Sequence, residues 1–264
     1  MLIQTPIRSV ETVKLPILMY HHIAETGDGG STISAEMFRA QMEAVARAGF
    51  CAVLPEEVLA FVRDGKPLPR NAFMITFDDG YFSNYDLAFP ILRERGLRAT
   101  VFAIGISYGR NEYKDTGIAI TPHFGAREAG EMVGSGVFSI QSHTYDFHQW
   151  EAFESGKPIR SNILQLQGES DADYADALRR DFEMSRAVIE VSTGERVIAL
   201  AYPGGAWDVA AQRVLRDCGV LMTFTTEPVM NELTVGDMSG LFELGRFAIG
   251  DNVTPDELVK LITT

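Results

Sequence analysis

Four of the five histidines in this chain, together with a pair of adjacent aspartates, fall just after short apolar runs. His21 and His22 follow Ile17-Leu18-Met19-Tyr20, Asp78-Asp79-Gly80 follows a run beginning at Ala72, and His143 and His148 follow the run 137–141. Pro203-Gly204-Gly205 stands in the same relation to the run 197–202, while His123 is the histidine outside the pattern. On an extended chain Asp78 and Asp79 point opposite ways, so both reach one site only if the backbone turns between them, which Gly80 permits. Five residues of α-helix separate two side chains by about 140°, so His143 and His148 need a loop to face one point. Two neutral imidazoles and one carboxylate leave room for water, the donor set of catalytic zinc sites. Alone, Asp-Asp-Gly is an ordinary surface turn and a single histidine an ordinary core residue. Their coincidence after apolar runs favours a metal-assisted site.

The elements needed to hold these residues alternate along the chain. Strands are expected at 17–20, 50–54, 72–77, 98–104, 137–141, 197–202, 220–225 and 244–249. A helix capped by Ser34 carries Phe38, Met42 and Val45 on one face and stops at Gly49. Further helices are expected at 55–62, over a stretch ending near Gly96 with a kink at Pro90, and at 127–133, 174–191, 208–217 and 255–262. Leu178, Phe182, Val188 and Ile189 recur at helical spacing in the longest, which Gly194 ends. About eight βα-like units in 264 residues argue for an α/β fold, a parallel (β/α) barrel or a distorted relative, as a single domain 1–264 with its core over about 15–262. Such barrels place their sites at the C-terminal strand ends, where these polar residues lie. The polar stretch 149–173 is expected as an excursion over the barrel mouth.

Composition narrows the partners. With 36 acidic and 23 basic side chains the formal charge is −13, which argues against gripping nucleic acid or an anionic membrane through a basic surface. No run approaches the roughly 20 apolar residues of a membrane span. Residues 1–8 lack a charged leader followed by an apolar run, so the chain as it stands reads as cytoplasmic, or as extracellular or cell-envelope if a leader has been removed. Cys51 and Cys218 are too few for a disulfide framework and are expected as buried thiols. Oligomeric state is not legible.

Thr76-Phe77-Asp78-Asp79-Gly80, Ser142-His143-Thr144-Tyr145-Asp146-Phe147-His148 and Ala201-Tyr202-Pro203-Gly204-Gly205 together resemble the NodB-homology polysaccharide deacetylases, carbohydrate esterase family 4. Leu18-Met19-Tyr20-His21-His22-Ile23 looks like a permuted motif of the poly-N-acetylglucosamine deacetylase branch. The resemblance implies a distorted (β/α) barrel and one divalent ion, commonly zinc, with cobalt, nickel or manganese as alternatives. It makes Asp79, His143 and His148 the metal ligands, Asp78 the general base and His21 the general acid, with the Gly204 N–H as an oxyanion donor. Tyr202, Pro203, Trp207 and Tyr145 are then the candidate glycan contacts, and the expected substrate is a polymer or oligomer of N-acetylglucosamine.

Several features depart from the common family pattern. The histidines are five apart rather than four, as in the poly-N-acetylglucosamine branch, so Asp146 competes with His148 as a ligand. His22 is the alternative acid. The arginine that often precedes the Pro-Gly motif is absent, with Ala201 near its place, and Arg246 is a candidate replacement as well as an ordinary surface ion-pair partner. Competing functions are an acetyl-xylan esterase or small-amide hydrolase on the same site, and a catalytically weak glycan-binding module, which the absent arginine supports.

Overall fold

The computed structural model describes residues 11–154 and 158–263. The N-terminal segment read for a leader, and residues 155–157 of the expected excursion, lie outside the described residues. In chain order, β1 (Thr12–Leu15), β2 (Ile17–Tyr20), β3 (His22–Ala24) and β4 (Thr32–Ser34) precede α1 (Ala35–Arg47). β5 (Cys51–Ala52), α2 (Pro55–Asp64) and β6 (Ala72–Phe77) follow, then a π-helical turn (Asn84–Ala88) that runs into α3 (Phe89–Arg95). Next come β7 (Ala99–Ala103), α4 (Ala126–Gly134), β8 (Phe138–Ser142), the long α5 (Asp171–Thr193) and β9 (Ala199–Ala201). α6 (Val209–Asp217), β10 (Met222–Phe224), β11 (Asn231–Thr234), β12 (Phe247–Ala248) and α7 (Pro255–Thr263) complete the chain.

The parallel sheet runs β10-β9-β8-β7-β6-β2-β12, with β5 against the start of β6. Its eight strands are the eight that the apolar runs imply. Leu244 bridges to Phe224 of β10 while Phe247 and Ala248 pair with Leu18 and Met19 of β2, so the segment 244–248 touches both edges and curls the sheet into a distorted barrel. The distortion lies in β5, which makes only the pairs Cys51–Ala72 and Ala52–Phe73 and leaves the upper part of β6 to β7. Two pairings were not legible from periodicity: β1 with β11, antiparallel, and β3 with β4, each three or four residues long.

Local chemistry explains the element ends. The Ser34 hydroxyl accepts the Met37 N–H at the start of α1, and the Asp208 carboxylate accepts that of Ala211 at the start of α6. At Pro90 the expected kink becomes a π-turn just ahead of α3, with the proline in the first turn, where its missing N–H has no helical acceptor to lose. The cysteine expectation is corrected: Cys51 is exposed and Cys218 only half-buried, because one lies on the short outlying β5 and the other at the C-cap of α6, at the margin of the core it packs against.

Strand alternation sorts the core into two layers. Phe73, Ile75 and Phe77 of β6 pack with Leu18 and Tyr20 of β2 beneath the helices, whereas Met74 and Ile17 belong with Phe102, Ala199, Met222 and Phe224 in the barrel interior. The interior parity of Met74 and Thr76 continues to Asp78, that of Ile17 and Met19 to His21, and that of Ser139 and Gln141 to His143. Three candidate site residues are therefore aimed inward by the period of the strands that carry them.

Candidate metal and catalytic site

Asp78 leaves β6 with its N–H on the Tyr20 carbonyl at 2.9 Å and its carboxylate buried. Asp79 then adopts φ 71° and Gly80 φ 83°, the left-handed turn needed to bring the second carboxylate to the same side. A Cβ on Gly80 would lie 3.1 Å from Ala103 Cβ, so both the turn and the close approach of β7 require glycine there. A left-handed aspartate is uncommon, and such conformations gather at functional sites.

The His143–His148 segment forms a loop, as its spacing demands. Thr144 takes φ 69°, and the carbonyls of Thr144 and Tyr145 accept N–H bonds from Gly105 and Ile106 at 3.0 and 2.9 Å. From beneath, the buried Asp181 of α5 accepts the Tyr145 and Asp146 N–H groups at 2.8 and 2.7 Å. Burial pushes the Asp181 carboxyl up to about 7, against the pull of those two bonds. Sequence reading missed Asp181. Its signal was an acid at helical spacing between Leu178 and Phe182, on the buried face of α5.

His143 Nδ1 lies 2.8 Å from the Ala201 carbonyl, which makes it the protonated nitrogen and turns the other nitrogen, Nε2, toward Asp79. Both His143 Nε2 and His148 Nε2 stand 3.6 Å from Asp79 Oδ1, and one ligand atom from each of the three residues falls within 4.8 Å of the others. Asp79 Oδ1 is buried with no hydrogen-bond partner. An orphaned buried carboxylate oxygen facing two imidazole nitrogens fits a divalent cation, and the set matches the donors of catalytic zinc. Asp146 is occupied elsewhere, paired with Lys114 at 2.9 Å and accepting from Gln149 at 2.9 Å. Burial pushes the His143 imidazole down to about 4, despite the nearby Asp78 charge.

Arg246 comes from the segment that closes the barrel. Its guanidinium is wholly buried and reaches both Asp78 oxygens, Nη1 to Oδ1 at 2.6 Å and Nη2 to Oδ2 at 2.8 Å. Its Nε donates to the Thr225 carbonyl at 2.8 Å and Nη1 to Thr76 at 3.3 Å. The burial of this arginine sets aside its reading as an ordinary surface ion-pair partner. Burial opposes ionisation of Asp78, but Arg246, with His143 and His21, more than reverses it and holds the carboxyl well below the usual range.

His21 Nε2 lies 4.0 Å from Asp78 Oδ2, partly open to solvent, and its carbonyl accepts from Asn84 at 2.9 Å. His22 has the opposite parity: its Nδ1 is 2.9 Å from the Ser83 hydroxyl and its ring lies beside Tyr81. Gly204, at φ 62°, sits exposed in the turn Pro203–Gly205 after β9. Tyr202 is fully buried and stacks on the half-buried Trp207, and Pro203 is buried too. The side chains of Tyr202 and Pro203 are thus withdrawn from any ligand at the mouth, leaving this turn its backbone and Trp207. Tyr145 is half-buried, and its ring lies against Gly105, where a Cβ would be 2.5 Å from Cδ2.

Beside Asp79 and His148 opens a cavity of about 230 Å³. Two loops that periodicity did not predict in detail, 104–123 and 146–153, form its walls, and His123 lies among them with its Nδ1 buried and unpartnered.

A curled parallel sheet thus carries at its mouth an Asp-His-His cluster that could hold a metal ion, beside a carboxylate gripped by an arginine. The family model described as polysaccharide deacetylase matches residues 65–223, and the chain belongs to that family. A relative from Bacillus subtilis (strain 168), YxkH, is 29% identical over 223 residues, covering 84% of this chain and 68% of its own. The poly-beta-1,6-N-acetyl-D-glucosamine N-deacetylase of Escherichia coli (strain K12) is 25% identical over 251 residues, which cover 88% of this chain and 36% of that one. Among solved structures, IcaB from Ammonifex degensii is 25% identical with a TM-score of 0.75, covering 95% of this chain and 97% of that chain. No helix among the described residues is long and apolar enough to cross a membrane.

Proposed function

We propose that this chain is a metal-dependent deacetylase that removes N-acetyl groups from polymers or oligomers of N-acetylglucosamine. The observation that carries the reading is the convergence of Asp79, His143 and His148 beside an Asp78 held by Arg246. The names of the Escherichia coli and Ammonifex degensii relatives favour this substrate class.

A divalent cation held by Asp79, His143 and His148, with zinc as the expected ion, would polarise the acyl carbonyl and make water acidic enough to react near neutral pH. Asp78, ionised through its pairing with Arg246, accepts a proton from the attacking water, and the fixed guanidinium keeps the carboxylate from rotating. His21, within 4.0 Å of Asp78 and open to solvent on one side, donates the proton that the departing amine nitrogen needs. The exposed N–H of Gly204 is the backbone donor offered to the developing oxyanion. Trp207 and Tyr145 supply the apolar faces on which a sugar ring can rest.

The deciding experiment measures acetate release from β-1,4 and β-1,6 N-acetylglucosamine oligomers and from acetylated xylan, with zinc or cobalt and with chelator. Metal-dependent release from the amides, lost in Asp78→Asn, is the expected result. Release from xylan alone would replace the reading with an esterase. Glycan binding without any release would leave a binding module.

A further inference from the structure

The cavity beside the candidate ligands is an open lobe whose lining has two characters. Ser107, Thr121 and Asp146 bring polar groups to it, as do Tyr81 and His123. Against these stands an aromatic row of Trp150, Phe153 and Tyr113, with ring centroids 5.8 Å apart in the first pair and 5.1 Å in the second. The Trp150 and Phe153 planes are parallel to within 2°. Trp150 is 51% exposed, and among the described residues it is the one aromatic side chain that is exposed.

The loops that carry this row are held in place. Lys114 reaches both Asp146, at 2.9 Å, and Glu154, and the Tyr113 hydroxyl donates to Glu154 at 2.7 Å. The Phe153 N–H donates to the Trp150 carbonyl at 2.9 Å, and the Gln149 N–H to that of Arg160 at 2.9 Å. An exposed indole on a fastened loop is a surface that a ligand meets ready-made.

Of the groups that the proposed reaction uses, Asp79 and His148 border the lobe, whereas Asp78, His21 and Gly204 do not. The amide being cleaved must touch those three, so it lies beside the lobe rather than in it. What extends into the lobe is the part of the substrate attached to the reacting sugar. A pyranose ring has a face of C–H groups and a rim of hydroxyls, so it is served by an aromatic surface for the one and polar side chains for the other. About 150 Å³ holds a benzene ring, and the lobe measures about 230 Å³, room for one substituted six-membered ring and not for two. We propose that the lobe is a subsite for the N-acetylglucosamine residue next to the one being deacetylated, with Trp150 as the platform on which its ring stacks. The inference rests on the reading of the site as a deacetylase of such polymers and makes the enzyme selective for oligomers over the single sugar.

The first arm of the test reads binding without turnover. The chain has two tryptophans, so Trp207→Phe leaves Trp150 as the sole indole, and Asp78→Asn in the same chain keeps the ligands intact. With zinc present, the tetramer of N-acetylglucosamine should shift Trp150 emission at concentrations where the monomer does not. The second arm follows acetate release from the tetramer in the parent, Trp150→Ala and Trp150→Phe. Trp150→Ala should raise KM about three- to tenfold with kcat little changed, and Trp150→Phe, which keeps an aromatic face, should recover most of the loss. An unmoved KM in Trp150→Ala, with Trp150 emission undisturbed by the tetramer, would overturn the subsite and leave the deacetylase standing. A tetramer that shifts Trp150 emission but releases no acetate from the parent would instead overturn the deacetylase reading and keep the lobe as a glycan site.

Discussion

Arg246 and Asp78 meet in a two-pronged ion pair at 2.6 and 2.8 Å, 168 residues apart in sequence and both buried. The pair joins the strand that supplies the candidate base to the segment that closes the barrel, so site and closure share one interaction. Taking two charges out of water is expensive, and their attraction offsets this only with the remaining hydrogen bonds satisfied. Thr225 and Thr76 provide those bonds for Arg246.

Arg246→Met should therefore lower unfolding stability by about 3–5 kcal/mol, because it strands the Asp78 charge in the interior. Asp78→Asn in the same chain should recover much of that loss, and urea denaturation of the four members of the cycle would measure the coupling. If Arg246→Met is as stable as the parent, the pair does not hold the closure. Arg246→Lys keeps the charge but not the fork, and should retain more stability than activity.

Metal affinity separates the two ligand sets that spacing left open. His148→Ala and Asp79→Asn should each weaken zinc binding by at least tenfold in a competition titration with a chromophoric chelator. Asp146→Asn should leave it within a few-fold, since that carboxylate is already engaged by Lys114 and Gln149. A larger loss in Asp146→Asn than in His148→Ala would reverse the assignment.

What the sequence made legible here is what apolar runs and residue spacing control. The eight strand positions follow from the apolar runs and the loop carrying His148 from a spacing that no helix satisfies, whereas the inward aim of His21, Asp78 and His143 needed the two core layers to show which face of each strand is the interior. Arg246 could be suspected but not placed, because the segment 244–248 pairs for only a few residues on either side and its partners are remote. The burial of Tyr202 was hidden because a residue at a strand end can face either the mouth or the helix layer. The cavity loops lack any periodicity, and their joining by Lys114 and Glu154 depends on tertiary contacts alone.

Asp181 offers a test of how the histidine loop is held. It touches neither histidine, and acts by accepting the N–H groups of the two residues between them. Asp181→Ala should weaken zinc binding about 10–100-fold, the usual penalty for losing a group that orients ligands, while circular dichroism shows the barrel intact. Asp181→Asn keeps one acceptor and should fall between. Zinc affinity unchanged in Asp181→Ala would show the loop to be held by Gly105 and Ile106 alone.

Stability against pH should reveal two desolvated groups, the half-buried His123 and the buried Asp181, working in opposite directions. Burial pushes the His123 imidazole down to about 4, so as pH falls the unfolded chain takes up the proton first. Its contribution is complete above the unfolded value near 6.5 and is lost from there toward 4, at about 1.4 kcal/mol per pH unit. Asp181 runs the other way. Its carboxyl, pushed up to about 7, keeps its proton in the folded state, so its contribution is complete below the unfolded value near 3.9 and is lost as pH rises to 7. In chelator-treated protein, urea midpoints from pH 4 to 7.5 should show His123→Asn losing less stability on acidification than the parent. Asp181→Asn should show a curve that rises more steeply with pH than the parent's over the same window. Curves parallel to the parent's in both variants would mean that neither group changes its protonation on folding.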